Sequence, residues 1–234
     1  MLRIVCGAVL VTVLVTVGIA GCGAEAAPPP TAVAPEASLS AAVLSGTEVA
    51  AGYAPAENQR VFEGMEPADP DCARLLRLAD VEGARDITGA GRAPEAHAAF
   101  YRASPVASLA QHVLRLPAGL AAEHVVAARK AVVRCPKIVV ESGDGDIRLR
   151  RDTTRKPRAL KDALAVRYAN KDISLEVVMA AVGDDLLVVA APGSYSAASG
   201  PRTTERIAVK AIKKLRAVHA GRIPLTTPAP PDVP

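Results

Sequence analysis

Between Lys137 and Ala191 the sequence holds five segments of strand composition, with no room for a helix between each pair. They are Lys137 to Glu141, Ile147 to Arg151, Leu164 to Tyr168, Ile173 to Val182 and Leu186 to Ala191. Ser142-Gly143-Asp144-Gly145-Asp146 and Gly183-Asp184-Asp185 separate two of the pairs, and both have hairpin composition. Parallel neighbours need a crossover of a dozen or more residues. A doubly wound parallel fold is therefore excluded, and a mainly antiparallel sheet is expected.

The flanking segments read as helices with a few strands. Ala37 to Leu44 has the composition of a short helix, and Val49 to Tyr53 leads into an extended piece. Asp69-Pro70 is a helix start, an acceptor side chain followed by a proline whose missing N–H costs nothing in the first turn. The helix that follows places Cys72, Leu75, Leu76 and Ala79 on one face. Ala96 to Tyr101 and Ala107 to Leu116 read as strands, with Phe100 and Tyr101 divided between core and surface. Gly119 to Cys135 is the clearest helix: Ala121, Val125, Ala128, Val132 and Cys135 form an apolar stripe that needs a partner, and Pro136 ends it. Thr204 to Ala220 is the last helix, apolar along Ile207, Ala208, Ala211, Ile212, Leu215 and Val218, and basic along Arg206, Lys210, Lys213, Lys214 and Arg216. The expected fold class is α+β, a single domain in which helices cover a mainly antiparallel sheet.

The two ends belong to something else. Met1-Leu2-Arg3 carries one positive charge, and Ile4 to Ala20 then runs without any. This is the layout of a secretory signal. The run ends in Ile19-Ala20-Gly21-Cys22, which resembles the bacterial lipobox, where the cysteine takes a diacylglycerol and becomes the first residue of the mature protein. An ordinary transmembrane helix would need basic residues as a stop, and Gly23 to Pro35 has none. Residues 1–21 are thus expected to be a lipoprotein signal peptide and 22–36 an Ala/Pro-rich tether, reaching roughly 40 Å if polyproline-like. Residues 37–221 form the domain, and 222–234, rich in proline, are a tail without the means to build a core. The location that follows is the outer face of the cytoplasmic membrane, with the membrane itself as a partner through lipid on Cys22.

Of the 4 cysteines, Cys6 leaves with the signal and Cys22 takes lipid. Cys72 and Cys135 remain, and in an oxidising compartment they are expected to form one disulfide, with two buried free thiols as the alternative. The 28 Lys and Arg, less Arg3, leave 27 against 24 acids, a formal +3 spread along the chain. That weak balance and export argue against nucleic acid. With 4 Tyr, 2 Phe and no Trp, the aromatic platforms of carbohydrate- and nucleic-acid-binding surfaces are scarce.

Nothing in the pattern carries catalysis. His97, His112, His124 and His219 have no metal-ligand spacing among them, and His124 is expected on an exposed flank of its helix. Gly193 to Gly200 looks like a serine elbow but lacks glycine at both required positions. Asp144-Gly145-Asp146 cannot open an EF-hand loop, because the twelfth residue is Arg155 and not Glu. No cofactor and no metal are expected. The residues best placed for binding are Tyr195 and Arg202, in the polar stretch Gly193 to Thr203, because loops on a rigid scaffold gather binding side chains.

The order of these elements is similar to a known family. Leu44 to Tyr53 reads Leu-Ser-Gly-Thr-Glu-Val-Ala-Ala-Gly-Tyr, Asp71 to Leu76 reads Asp-Cys-Ala-Arg-Leu-Leu, and a helix ends at Cys135-Pro136. With a Val182-Gly183-Asp184 hairpin and a terminal helix, this resembles the PknH-like extracellular sensor domain of actinobacteria, found on receptor kinases and as free-standing lipoproteins. The family's usual second disulfide and its frequent Trp are missing here. The resemblance implies a non-catalytic domain that binds an unknown small ligand between sheet and helices. The alternative is a structural lipoprotein or one that docks on an envelope protein.

Overall fold

The computed structural model describes residues 35–56, 65–80, 86, 93–140, 146–155, 163–194 and 203–222. In chain order they form α1 (Pro35–Ala42), β1 (Ala54–Ala56), α2 (Pro70–Ala79), β2 (Glu95–Ala103), β3 (Val106–Arg115), α3 (Leu120–Arg134), β4 (Lys137–Val140), β5 (Ile147–Arg155), β6 (Ala163–Ala169), β7 (Ile173–Val182), β8 (Asp185–Ser194) and α4 (Thr203–His219). The strands make one sheet of 8, in the order β1-β2-β3-β8-β7-β6-β5-β4. Every neighbouring pair is antiparallel. This is the α+β architecture that the strand spacing predicts.

Two meanders meet in the middle of the sheet, β1 to β3 on one side and β8 back to β4 on the other. The chain leaves β3 at the centre and resumes at β4 on the far edge, five strand spacings or about 24 Å away. The 15 residues of α3 rise about 22 Å, so this one helix bridges the gap while packing on β8, β7 and β6.

Helices cover both faces. On one, α2 and α3 pack against Leu164, Val166 and Tyr168 of β6, Leu175, Val177 and Met179 of β7, and Leu186 and Val188 of β8. On the other, α1 and α4 pack against Leu109 and Val113 of β3, Val178 and Ala180 of β7, and Leu187 and Val189 of β8. Coverage on both sides explains why β7 and β8 are buried at successive positions instead of alternating. The anticipated stripes of α3 and α4 are the buried ones, and Phe100 is buried while Tyr101 is 38% exposed.

Several boundaries differ from the sequence reading. The first helix starts two residues earlier and ends at Ala42. β5 runs on to Arg155, because a bulge between Arg151 and Thr153 lets pairing with β6 continue past the charged residues. β8 runs on to Ser194, so Gly193 is a strand residue and not loop. It pairs with Ala107 and Ser174 at once, and a Cβ there would lie 3.0 Å from that of Ala107. The close approach of β3 and β8 is what that glycine serves.

Candidate functional site

The local chemistry that sets up the site begins at α2. The Asp69 side chain accepts a hydrogen bond from the Cys72 N–H (2.9 Å) and Pro70 follows, as the cap reading predicts. The capped helix carries Cys72 to Cys135, and the two are joined, with Cα atoms 5.0 Å apart. Three further ties converge on this corner. Tyr168 donates its hydroxyl proton to the Cys135 carbonyl (2.8 Å), Arg151 donates to the Val132 carbonyl, and Arg134 pairs with Asp71 at 3.7 Å. Burial pushes the Tyr168 hydroxyl well above the ordinary phenol range, so it stays a donor.

His124 is a correction. It is buried in α3, and its ring nitrogen donates to the Leu78 carbonyl at 2.8 Å. The last carbonyls of a helix lack partners within it, and His124 supplies one for α2. Its apolar neighbours hold the ring below the usual imidazole range, so it is neutral. Together these contacts fix α2 and α3 side by side, and the seam between them opens to solvent as a groove of about 580 Å³. Ala122, Ala127 and Ala131 are among its lining residues, and their small side chains leave room that larger ones would fill. Arg74, Glu123, Val126 and Lys130 line it too, and Val126 and Val133 of α3 are 44% and 73% exposed. Asp71, Arg74, Glu123, Lys130 and Arg134 give this groove charges of both signs beside its small apolar side chains.

On the opposite face of the sheet lies a smaller, polar recess. Arg167 on β6 and Glu176 on β7 are cross-strand partners, both buried, with Nε and Oε1 3.5 Å apart. That separation is an ion pair without a hydrogen bond. Asp152 stands 3.5 Å from the same guanidinium on its other side. Thr153 and Glu205 complete the recess, whose 20 Å³ is room for about one water. Glu205 is in the first turn of α4, so this recess lies beside the end of the loop singled out for binding. Tyr195, Arg202 and Cys22 themselves lie outside the described residues.

Several other buried polar groups have structural partners. Asp185, buried at the start of β8, receives two bonds from Arg115 (2.7 and 2.9 Å) and one from His219 of α4 (2.6 Å). Gln111, fully buried on β3, accepts from the Leu44 N–H (3.0 Å) and donates to the Ala42 carbonyl (3.4 Å), which secures the end of α1. Lys214 bonds the Val43 carbonyl (2.7 Å) and Glu48 (2.6 Å), while Lys210 bonds the Glu48 carbonyl (3.1 Å). Part of the basic face of α4 is therefore engaged in holding the loop after α1. His112 faces His97 across the β2–β3 pair, ring centres 6.2 Å apart. Burial, aided by that neighbour, lowers His112 to about 4. Among the described residues no group of three or more His, Cys, Asp or Glu could hold a metal.

Sequence reasoning missed Gln111, the His124 clasp and the Arg167–Glu176 pair. The last was within reach. A hairpin pairing Ala169 with Ser174 must also pair Arg167 with Glu176, and charges opposed inside two apolar strands mark a covered polar site.

No family model and no curated protein matches the sequence. The fold has a counterpart among solved structures, the extracellular domain of PknH from Mycobacterium tuberculosis. That domain aligns with a TM-score of 0.59 and 16% identity, over 78% of this chain and 97% of the domain. At that identity the likeness is one of fold: the chain is built as the PknH extracellular domain is built.

Proposed function

We propose that this chain is a lipoprotein anchored through Cys22 to the outer face of the cytoplasmic membrane, and that its domain binds a ligand in a sensor-like role without catalysis. The observation that carries the reading is the shared fold with an extracellular domain of PknH, on a chain whose start has the layout of a lipoprotein signal. The groove between α2 and α3 supports it, since about 580 Å³ falls in the range of small-ligand sites. Its small side chains and mixed charges suit an amphipathic molecule carrying both signs. Tyr195 and Arg202, in the loop that ends beside Glu205, are proposed as a second set of contacts.

Two measurements test this. Cys22→Ser should release or misprocess the protein; unchanged membrane retention together with an unchanged mature mass sinks the anchor. The soluble Cys22→Ser chain should be thermally stabilised by the small-molecule fraction of a cell-envelope extract, and Ala127→Trp, which fills the groove, should abolish the shift. Equal stabilisation of both proteins would remove the groove from the reading.

The exposed Val126 and Val133 favour a second reading, in which the same face docks on an envelope protein. Crosslinking from position 133 in intact cells separates the two: capture of one discrete protein, lost in the Val126→Asp/Val133→Asp variant, supports docking.

A further inference from the structure

We propose that the outer face of α4 rests on the anionic lipid headgroups of the membrane, so that the α2/α3 groove points away from it. The proposal rests on the reading of a membrane-anchored domain, and its support is the distribution of charge in the fold. Residues 203–222 hold six cations, Arg206, Lys210, Lys213, Lys214, Arg216 and Arg222, against the single acid Glu205. The mature chain is only +3 in total, so everything outside this segment is net acidic, at −2. The cations are also sorted by the helix. Arg206, Lys210 and Lys213 recur at spacings of four and three, opposite the buried stripe Ile207, Ala211, Leu215 and Val218, and all three are exposed. Lys214 has turned aside to the Glu48 loop, and Lys210 reaches the Glu48 carbonyl from its exposed position. Lys213, Arg216 and Arg222 are exposed and have no carboxylate partner among the described residues. The outer surface of this helix is therefore of one sign, whereas the α2/α3 groove carries both.

Chain connection points the same way. α1, the first described element, packs beside α4 on that face of the sheet. Pro35, where it starts, lies only 13 positions beyond Cys22, a contour of about 40 Å. A lipid on Cys22 holds this layer near the bilayer, where each Lys or Arg close to an anionic surface gains roughly fivefold in affinity. The contact has no apolar component, so it orients an anchored domain and is screened by salt.

The test uses the mature chain without lipid, beginning at position 22 with Cys22→Ser, so the result does not depend on the anchor. Its binding is measured by co-sedimentation with phosphatidylglycerol/phosphatidylcholine vesicles and with phosphatidylcholine alone, at low and at physiological salt. Binding to the anionic vesicles only, weakened by salt, and reduced about 20-fold or more by Lys213→Glu/Arg216→Glu is expected. Arg74→Glu/Lys130→Glu, the same charge change on the opposite layer, should reduce it several-fold less. No binding to anionic vesicles, equal binding to neutral ones, or equal loss from the two double variants would each overturn the proposal. Binding to polyglutamate as tight as to vesicles would overturn it as well, in favour of an acidic polymer partner. Retention in cells with an unchanged mature mass in Cys22→Ser would count against the anchor alone.

Discussion

The two helical layers that cover the sheet are fixed by opposite means. α2 and α3 are joined covalently through Cys72 and Cys135, with Tyr168, Arg151 and His124 binding backbone carbonyls around the bond. α1 and α4 have no such link. They are held by polar side chains reaching from the sheet and from one another: Gln111 to the end of α1, Lys214 to Glu48 and Val43, His219 to Asp185. The first device sets a geometry that survives fluctuation, which is what a preformed groove needs. The second is electrostatic at several points, so it answers to pH and salt. The covalently fixed layer and the electrostatically fixed layer lie on opposite faces of one sheet.

The largest expected effect breaks the stiff layer. Cys72 and Cys135 close a loop of 63 residues, for which the chain-entropy argument gives about 4 kcal/mol. Cys72→Ala/Cys135→Ala should lower the melting temperature by roughly 10 °C, measured by calorimetry, and reductant should do the same to the parent protein but not to the variant. A shift of only a degree or two would mean that the carbonyl ties alone fix α2 on α3.

The corresponding break in the other layer is Gln111→Met. It leaves the Leu44 N–H and the Ala42 carbonyl without a partner in a fully buried site, at a cost of about 3 kcal/mol for the two. Hydrogen exchange should show α1 opening far more than α2. Uniform loss of protection across both layers would show that the layers are not independent.

A third effect belongs to the sheet between them. His112 titrates at about 4 in the folded protein because burial, with His97 opposite, disfavours its charged form. In the unfolded chain it protonates near 6.5. Between those values the unfolded state binds more protons, so stability falls as pH falls from 6.5 towards 4. The loss is on the order of 3 kcal/mol by pH 4, and His112→Leu should flatten the slope in urea titrations across that window. An unchanged slope would assign the acid sensitivity to other groups.

These contrasts also mark what the sequence could convey. The antiparallel direction followed from local facts, since turns such as Gly183-Asp184 allow only antiparallel neighbours, and the helices were legible from the stripe Ala121 to Cys135 and the cap at Asp69; the pairing of β3 with β8 was not. Which surface each stripe meets was less so. β7 and β8 are apolar at almost every position, and that continuous run was the sign that helices lie on both sides. The contacts that fix the layers were hidden for a different reason. Gln111 meets Ala42 and Leu44, and His124 meets Leu78, across 46 to 69 residues. No local pattern encodes such a distance. A lone histidine beside an apolar stripe reads as exposed until the helix opposite it is known. The α2/α3 groove was invisible for a related reason: alanines at 122, 127 and 131 are good helix residues anywhere, and they line a groove only against α2.

The smallest effect sharpens the claim that the α1/α4 layer is electrostatic. Lys214 reaches both the Val43 carbonyl and Glu48, so Lys214→Met keeps the aliphatic stem and deletes only the charge and its donors. Burial raises the Glu48 carboxyl, but bonds from Lys214 and from Ser45 outweigh it and hold the group below its ordinary value. A carboxylate lowered on folding contributes stability that is present above the unfolded value, 4.5, and lost as pH falls through the folded one. Both side chains are part-buried, Lys214 19% and Glu48 38% exposed, and solvent still screens the pair, so its removal should cost about 1 kcal/mol at neutral pH. The difference between parent and Lys214→Met should shrink below pH 4.5, and also in 1 M salt. A variant whose deficit stays constant across pH and salt would show that Lys214 acts through packing, and the contrast between a covalent and an electrostatic layer would then rest on Gln111 and Asp185 alone.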